Sequence, residues 1–245
     1  MLTNKFKINY SIGSVANGIK TDTFTFFLLF FYSNIIGLNP ALAGLAIFIA
    51  LCIDAVTDPL MGTISDRTNS FLGRRHPYML ISFIPMSLGY IFLFAPRQDW
   101  DMSQNDLFLW MTIFTVLTRL GMTLFDIPHR AFGGEITKNY EERTLLMSWR
   151  EMIGWVAGLS NAFLGYGIFF TSTPEYPQGQ LNPDAWFPFA LTGAIFMIIS
   201  VLYSSISTKN EIKSLSKWSG SISLGDIIKE LRIAISNKSF LIFFF

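Results

Sequence analysis

Residues 40–65 are long and apolar enough to cross a bilayer, yet they carry Asp54 and Asp58 one helical turn apart. Gly62 and Asp66 continue the four-residue spacing. On a helix these four positions lie along one slowly drifting face. Charge is costly in hydrocarbon, so acids striped along a membrane span point to a polar pathway or an ion site. That stripe restricts the fold to one that surrounds it with other helices.

The rest of the chain agrees. Of its 245 residues 51% are hydrophobic and 14% charged, with a mean hydropathy of +0.42. A soluble domain carries about 25% charged residues. The net charge of +1 gives no reason to expect a nucleic-acid partner. Cys52 is the single cysteine, so no intrachain disulfide forms. The N-terminal segment holds Asn17, Lys20 and Asp22 and lacks a small-residue cleavage site, which reads as a first membrane helix rather than a leader.

Apolar runs predict six spans, over residues 9–36, 40–65, 78–96, 107–131, 145–170 and 186–207. The third is apolar on all sides and reads as peripheral, kinked by Pro85. Basic residues fall after alternate spans: Arg67, Arg74 and Arg75, then Arg130, Lys138 and Arg143, then Lys209 onward, with Lys5 and Lys7 before the first. This alternation predicts a cytoplasmic N-terminus; a bacterial-type inner membrane location is implied only by the family resemblance given below. The fold class expected is an all-α membrane protein, with a six-helix unit over residues 1–207. Residues 208–237 read as a cytoplasmic loop carrying an amphipathic helix, with Leu224, Ile227, Ile228, Leu231 and Ile235 at helical spacing. Residues 238–245 begin a seventh span, which suggests a truncated chain lacking a C-terminal half.

Asp54 and Asp58 repel one another unless a cation or proton lies between them. They form a candidate Na⁺ or H⁺ site, or else are salt-bridge partners of Lys20, Arg119 or Arg150. Asp126 stands two residues before Pro128, either donating oxygen to a cation or bound hydroxyl or capping a helix end. Lys20 and Asp22 contact substrate or pair locally, and Arg150 could clamp an anionic or hydroxyl-rich solute. Gly62, Asp66, Arg67, Gly73, Arg74 and Arg75 straddle the membrane boundary. With Glu135, Glu141, Glu142 and Arg143 they form either a charged gate or a positive-inside anchor. Gly62 is expected to permit close helix approach. His76 and His129 lack a partner at metal-ligand spacing, and no catalytic motif is present, so an enzyme is not expected.

The run Asp54-Ala-Val-Thr-Asp58-Pro-Leu-Met-Gly62, then Asp66-Arg67-Thr and Gly73-Arg74-Arg75-His-Pro77, resembles the glycoside–pentoside–hexuronide:cation symporter family of the major facilitator superfamily. Asp126-Ile-Pro128, Glu135-Ile-Thr137 and Glu142-Arg143-Thr144 are similar to its second signature. The resemblance implies about twelve spans in two halves, with substrate and coupling ion moving between them by alternating access. It implies cation binding by Asp54, Asp58, Asp126 and Thr123, with Asp54 and Asp58 holding Na⁺ where that is the ion. Substrate binding is implied for Asp126 and Arg150 and extended here to Asp22, Lys20 and Arg130. No cofactor is implied beyond a Na⁺ or H⁺ coupling ion; the partners are a small sugar-like substrate and membrane lipid. Two positions depart from the pattern. Ile19 stands where the family's sugar-binding acid is expected, and Arg130 replaces a stacking aromatic. The added positive charge suits an anionic sugar such as a hexuronide.

Overall fold

A computed structural model describes residues 2–214, and every regular element among them is helical. The predicted amphipathic helix and seventh span lie outside the described residues. The chain opens with α1 (Asn4–Ser11), whose cap residue Thr3 accepts from the Phe6 amide. After a break at Ile12–Gly13 it continues as α2 (Ser14–Asp22). A π-helical stretch (Thr23–Phe27), the short α3 (Leu28–Phe30) and a second π-helical stretch (Phe31–Ile36) complete the segment. The predicted first span is therefore long but not one regular α-helix.

Gly37, at φ +85°, ends that segment in the left-handed region that glycine tolerates. The Asn39 side chain then caps α4 (Pro40–Arg67), with Pro40 in the first turn, where its missing N–H costs nothing. Next come α5 (His76–Ile81) and α6 (Phe83–Leu93). They are interrupted at Ser82, in the turn before Pro85, whose missing N–H leaves the Ile81 carbonyl without its helical donor. A Ser103/Asp106 capping box starts α7 (Gln104–Glu135). Asn139 caps α8 (Tyr140–Leu164), which passes into a π-helical turn (Gly165–Phe169). The last long element is α9 (Trp186–Ser207).

Among the described residues five helical segments are long and apolar enough to cross a membrane: Pro40–Arg67, His76–Leu93, Gln104–Glu135, Tyr140–Phe169 and Pro183–Glu211. The protein is an integral, multi-pass membrane protein. In lipid, helices associate through close packing rather than hydrophobic transfer, which favours small residues at crossings. At the α2–α8 crossing a Cβ on Gly18 would lie 2.0 Å from the Gly154 carbonyl oxygen. At the α6–α7 crossing a Cβ on Gly121 would lie 2.3 Å from the Met86 nitrogen.

α6 is packed on one face and exposed on the other. It packs against both α7 and α9, and Met86, Gly89, Tyr90 and Leu93 are buried. Ile84, Leu88 and Phe92 on its other face are exposed, which suits a helix at the rim of the bundle, with its small residues turned inward. One end of the bundle closes over Trp186, which is fully buried among Phe31, Phe94 and Phe170, with ring centroids 4.6–6.1 Å away. This aromatic plug leaves the polar residues of α2, α4, α7 and α8 to line openings elsewhere.

Candidate functional site

Two openings flank α2. Successive helical residues are about 100° apart, so Lys20 and Asp22 point about 200° apart and reach different sides. Lys20 enters a cleft of about 70 Å³ formed by α2, α4 and α7. Asp22 enters a cavity of about 280 Å³ between α2 and α8. Asn17 borders both.

The cleft gathers Asp54, Asp58, Thr123 and Asp126, the four residues expected to hold a cation, together with Lys20 and Arg119. Asp54 takes two bonds on one oxygen, from Arg119 Nε at 2.6 Å and Nη2 at 2.5 Å. Its Oδ1 is buried without a partner. Asp58 Oδ1 accepts from the Thr123 hydroxyl at 2.7 Å. Asp126 accepts Arg130 Nε at 2.6 Å on one oxygen and Arg150 Nη2 on the other. Pro59 and Pro128 sit inside α4 and α7, which continue through them.

In this conformation Arg119 is the salt-bridge partner of Asp54. Both groups are largely buried, with 15% and 16% of their side-chain surface exposed. Such a pair offsets desolvation only through close geometry, and losing one partner strands a charge. No group of three His, Cys, Asp or Glu side chains able to hold a metal ion occurs among the described residues. Arg130 turns back along its own helix to Asp126, at i,i+4, rather than into the larger cavity.

In the cavity wall Arg150 is 1% exposed. Beyond Asp126 it donates Nη1 to Glu151 at 2.5 Å and Nε to His129 Nδ1 at 3.5 Å. His129 lies between the Tyr10 and Phe125 rings, with centroids at 4.1 and 4.8 Å, and its Nε2 meets the Tyr10 carbonyl at 3.0 Å. These contacts fit an imidazole protonated on Nε2 that accepts from Arg150 on Nδ1. The guanidinium is thus fixed on three sides. Ser14 ties the same turn to α2 by donating to the Arg150 carbonyl at 2.6 Å.

Three contributors were not singled out from sequence. Asn161 donates to Asp22 at 3.1 Å, and Trp155, 70% exposed, borders the cavity. Glu151 borders it too. For Asn161 a signal existed: Gly154, Gly158 and Asn161 share the helical face that packs on α2.

At the far end of α4, Asp66, Arg74, Arg75 and Glu135 join. Arg75 Nη2 bonds Asp66 at 2.6 Å and Glu135 at 2.9 Å, and Arg74 Nη2 bonds Glu135 at 2.8 Å. Gly73, at φ +76°, makes the turn that presents both arginines. Arg143 stands over the Tyr140 ring at 5.8 Å, and Glu142 accepts from the Leu2 amide. Arg67 is the last residue of α4. Gly62 does not mark a close approach, since a Cβ there would meet only Ile127 Cγ2 at 3.8 Å, ordinary contact.

A family model described as MFS/sugar transport protein matches residues 9–245. The chain belongs to this family of major facilitator transporters. Proteins similar to it include an uncharacterized symporter of Synechocystis, 34% identical over 179 residues, covering 72% of this chain and 33% of the relative. The inner membrane symporter YicJ of Escherichia coli is 31% identical over 164 residues, 67% of this chain and 35% of the relative. The sodium-dependent lysophosphatidylcholine symporter 1-A of Danio rerio is 31% identical over 179 residues, 71% and 32%. The matched region spans about a third of the length of each. The helical architecture, with acids and arginines facing internal openings, is that of an N-terminal major facilitator half.

Proposed function

We propose that the whole protein is a symporter, which moves a sugar or sugar-like solute (a glycoside, pentoside or hexuronide) together with Na⁺ or H⁺ by alternating access. Residues 1–207 are the N-terminal half, and residues 208–245 lead to a second half that completes the cavity. The N-terminus is cytoplasmic and the membrane a bacterial inner membrane.

One observation carries the reading. Arg150 stands in the wall of the larger cavity and bonds Asp126 in the wall of the ion cleft. A solute that recruits the guanidinium loosens Asp126, and an ion that recruits Asp126 frees the guanidinium. The two ligands therefore interact through one hydrogen-bonded pair, as coupling requires. In this scheme Asp54, Asp58, Asp126 and Thr123 form the ion site. Asp22, Arg150 and Asp126 bind the solute, with Lys20 and Arg130 setting the charge around it. The Asp66–Arg75–Glu135–Arg74 network, with Gly62, Arg67, Gly73 and Arg143 around it, holds one face closed.

The test is uptake by the full-length protein in vesicles, across labelled glycosides, pentosides, hexuronides and lysophosphatidylcholine. Accumulation of a sugar that disappears when the Na⁺ and H⁺ gradients are collapsed supports the proposal. A lipid substrate is a second reading, favoured by the apolar strip of Phe26, Trp155 and Leu159 along the cavity mouth, each more than 60% exposed. Accumulation of the lysolipid alone would favour it.

A further inference from the structure

Asp22 is the last residue of α2, where the helix passes into its first π-helical stretch, and its side chain is buried. Its Oδ2 accepts from Asn161 Nδ2 at 3.1 Å. The same nitrogen donates to the Thr23 hydroxyl at 3.2 Å, and that hydroxyl meets the Tyr90 hydroxyl at 2.7 Å. Asn161, Thr23 and Tyr90 are themselves buried, so the row of bonds ties α8, the end of α2 and α6 together in the interior. Gly158 leaves room for it. A Cβ there would lie 3.1 Å from the Gly18 carbonyl oxygen and 3.4 Å from Asp22 Cβ. Asp22 Oδ1 takes no hydrogen bond from the described residues, and Asp22 borders the cavity of about 280 Å³. A carboxylate anchored through one oxygen keeps the other for a donor, and it repels an anion.

The charged residues lining this cavity are Asp22, Arg150 and Glu151. Arg150 already donates to Glu151, to Asp126 and to His129. Its charge is matched within the protein before any solute arrives. Arg130, whose charge had suited an anionic sugar, lies on Asp126 and does not border this cavity. The lining thus holds two carboxylates and one committed arginine. A solute carboxylate would face Asp22 and Glu151 and would have to displace a carboxylate from Arg150.

We propose that Asp22, held in place by Asn161, is a hydroxyl-reading subsite that selects a neutral polyhydroxy solute, a glycoside or pentoside, over a hexuronide. This subsite rests on the sugar-symport reading above and narrows its solute class. Asp22 Oδ1 accepts from a solute hydroxyl. The N–H groups that Arg150 has left over donate to solute oxygens in the same cavity. Asn161 does not touch the solute. It is a positioning residue, which acts by fixing the carboxylate.

The test is equilibrium binding to the purified full-length protein with no ion gradient. The probes are methyl β-glucoside, xylose and glucuronate, against the wild type, Asp22→Asn, Asn161→Ala and the double variant. The wild type is expected to bind a neutral sugar in preference to glucuronate. Asp22→Asn should weaken the neutral sugar by about tenfold, because bonds to a charged acceptor are the stronger ones, and should narrow the gap to glucuronate. Asn161→Ala should move the same ratio, but not move it further once Asp22 is replaced. A residue with a purely structural role would lower Tm in both backgrounds and leave the ratio alone. Where Asn161→Ala does not fold, the wild-type preference and Asp22→Asn decide. Preference for glucuronate in the wild type, or a ratio that Asp22→Asn leaves unmoved, overturns the subsite and leaves the sugar reading standing. Binding of none of the three probes overturns both. Selective binding without gradient-driven uptake retains the subsite and loses the symport reading.

Discussion

Arg150 donates to the Asp126 carboxylate across the α7–α8 contact, and that one bond joins the two openings of the bundle. The arginine is 1% exposed, and its remaining nitrogens are held by Glu151 and His129. Its removal leaves the buried Asp126 with Arg130 alone, so the cost is below the about 3–5 kcal/mol of breaking an isolated buried pair. Arg150→Met should therefore lower the Tm of the purified protein clearly. Arg150→Lys keeps the charge but loses the fork. It should retain most of the stability and still lose solute affinity, read as a separate fall in equilibrium binding.

The α2–α8 crossing is set by glycine. Gly18→Ala places a methyl 2.0 Å from the Gly154 carbonyl oxygen, so the helices must separate. Overpacking of this kind costs about 1–3 kcal/mol. Gly44→Ala meets nothing within 4 Å and should be neutral, or stabilising by up to about 1 kcal/mol through helix propensity. Thermal denaturation of the two variants side by side checks the contrast.

Glu135 joins Arg74 to Arg75, and Asp66 completes the set from the end of α4. Glu135 is 35% exposed, so its ion pairs contribute little to global stability, about 1 kcal/mol or less. Their effect is on the loop. Glu135→Gln should leave Tm nearly unchanged while hydrogen exchange over residues 68–75 accelerates several-fold. Equal exchange in both proteins would remove this network from the gating scheme.

Trp155 presents its ring at the cavity between α2 and α8, and little of it is buried. Trp155→Ala should leave Tm almost unaltered. A stacking surface against the apolar face of a sugar ring contributes about 1 kcal/mol, so solute affinity should fall about fivefold with the ion dependence intact. Equilibrium binding at two ion conditions reads both effects.

Much of this architecture was legible because charge is conspicuous in an apolar run. Asp54, Asp58 and Asp126 could be assigned to one polar interior without knowing the packing, and Asp66, Arg74, Arg75 and Glu135 to a boundary. Partner choice was not legible. Asp54 had three candidate cations, and only the geometry of α4 against α7 selects Arg119. Lys20 and Asp22 were both expected at the substrate, but helical periodicity sends them to opposite sides of α2. The third span read as peripheral, and its outer face is exposed, but hydropathy could not say which face packs inward. Gly89 and Gly121, where α6 and α7 meet closely, decided it.

The account turns on Asp58 as the group that links ion movement to solute movement. Concentrative uptake and solute counterflow by the full-length protein, measured in the same vesicles for wild type and Asp58→Asn, test this most directly. The account predicts that Asp58→Asn abolishes accumulation against a gradient while counterflow, which needs no net ion movement, continues. Accumulation by Asp58→Asn at the wild-type level would contradict it.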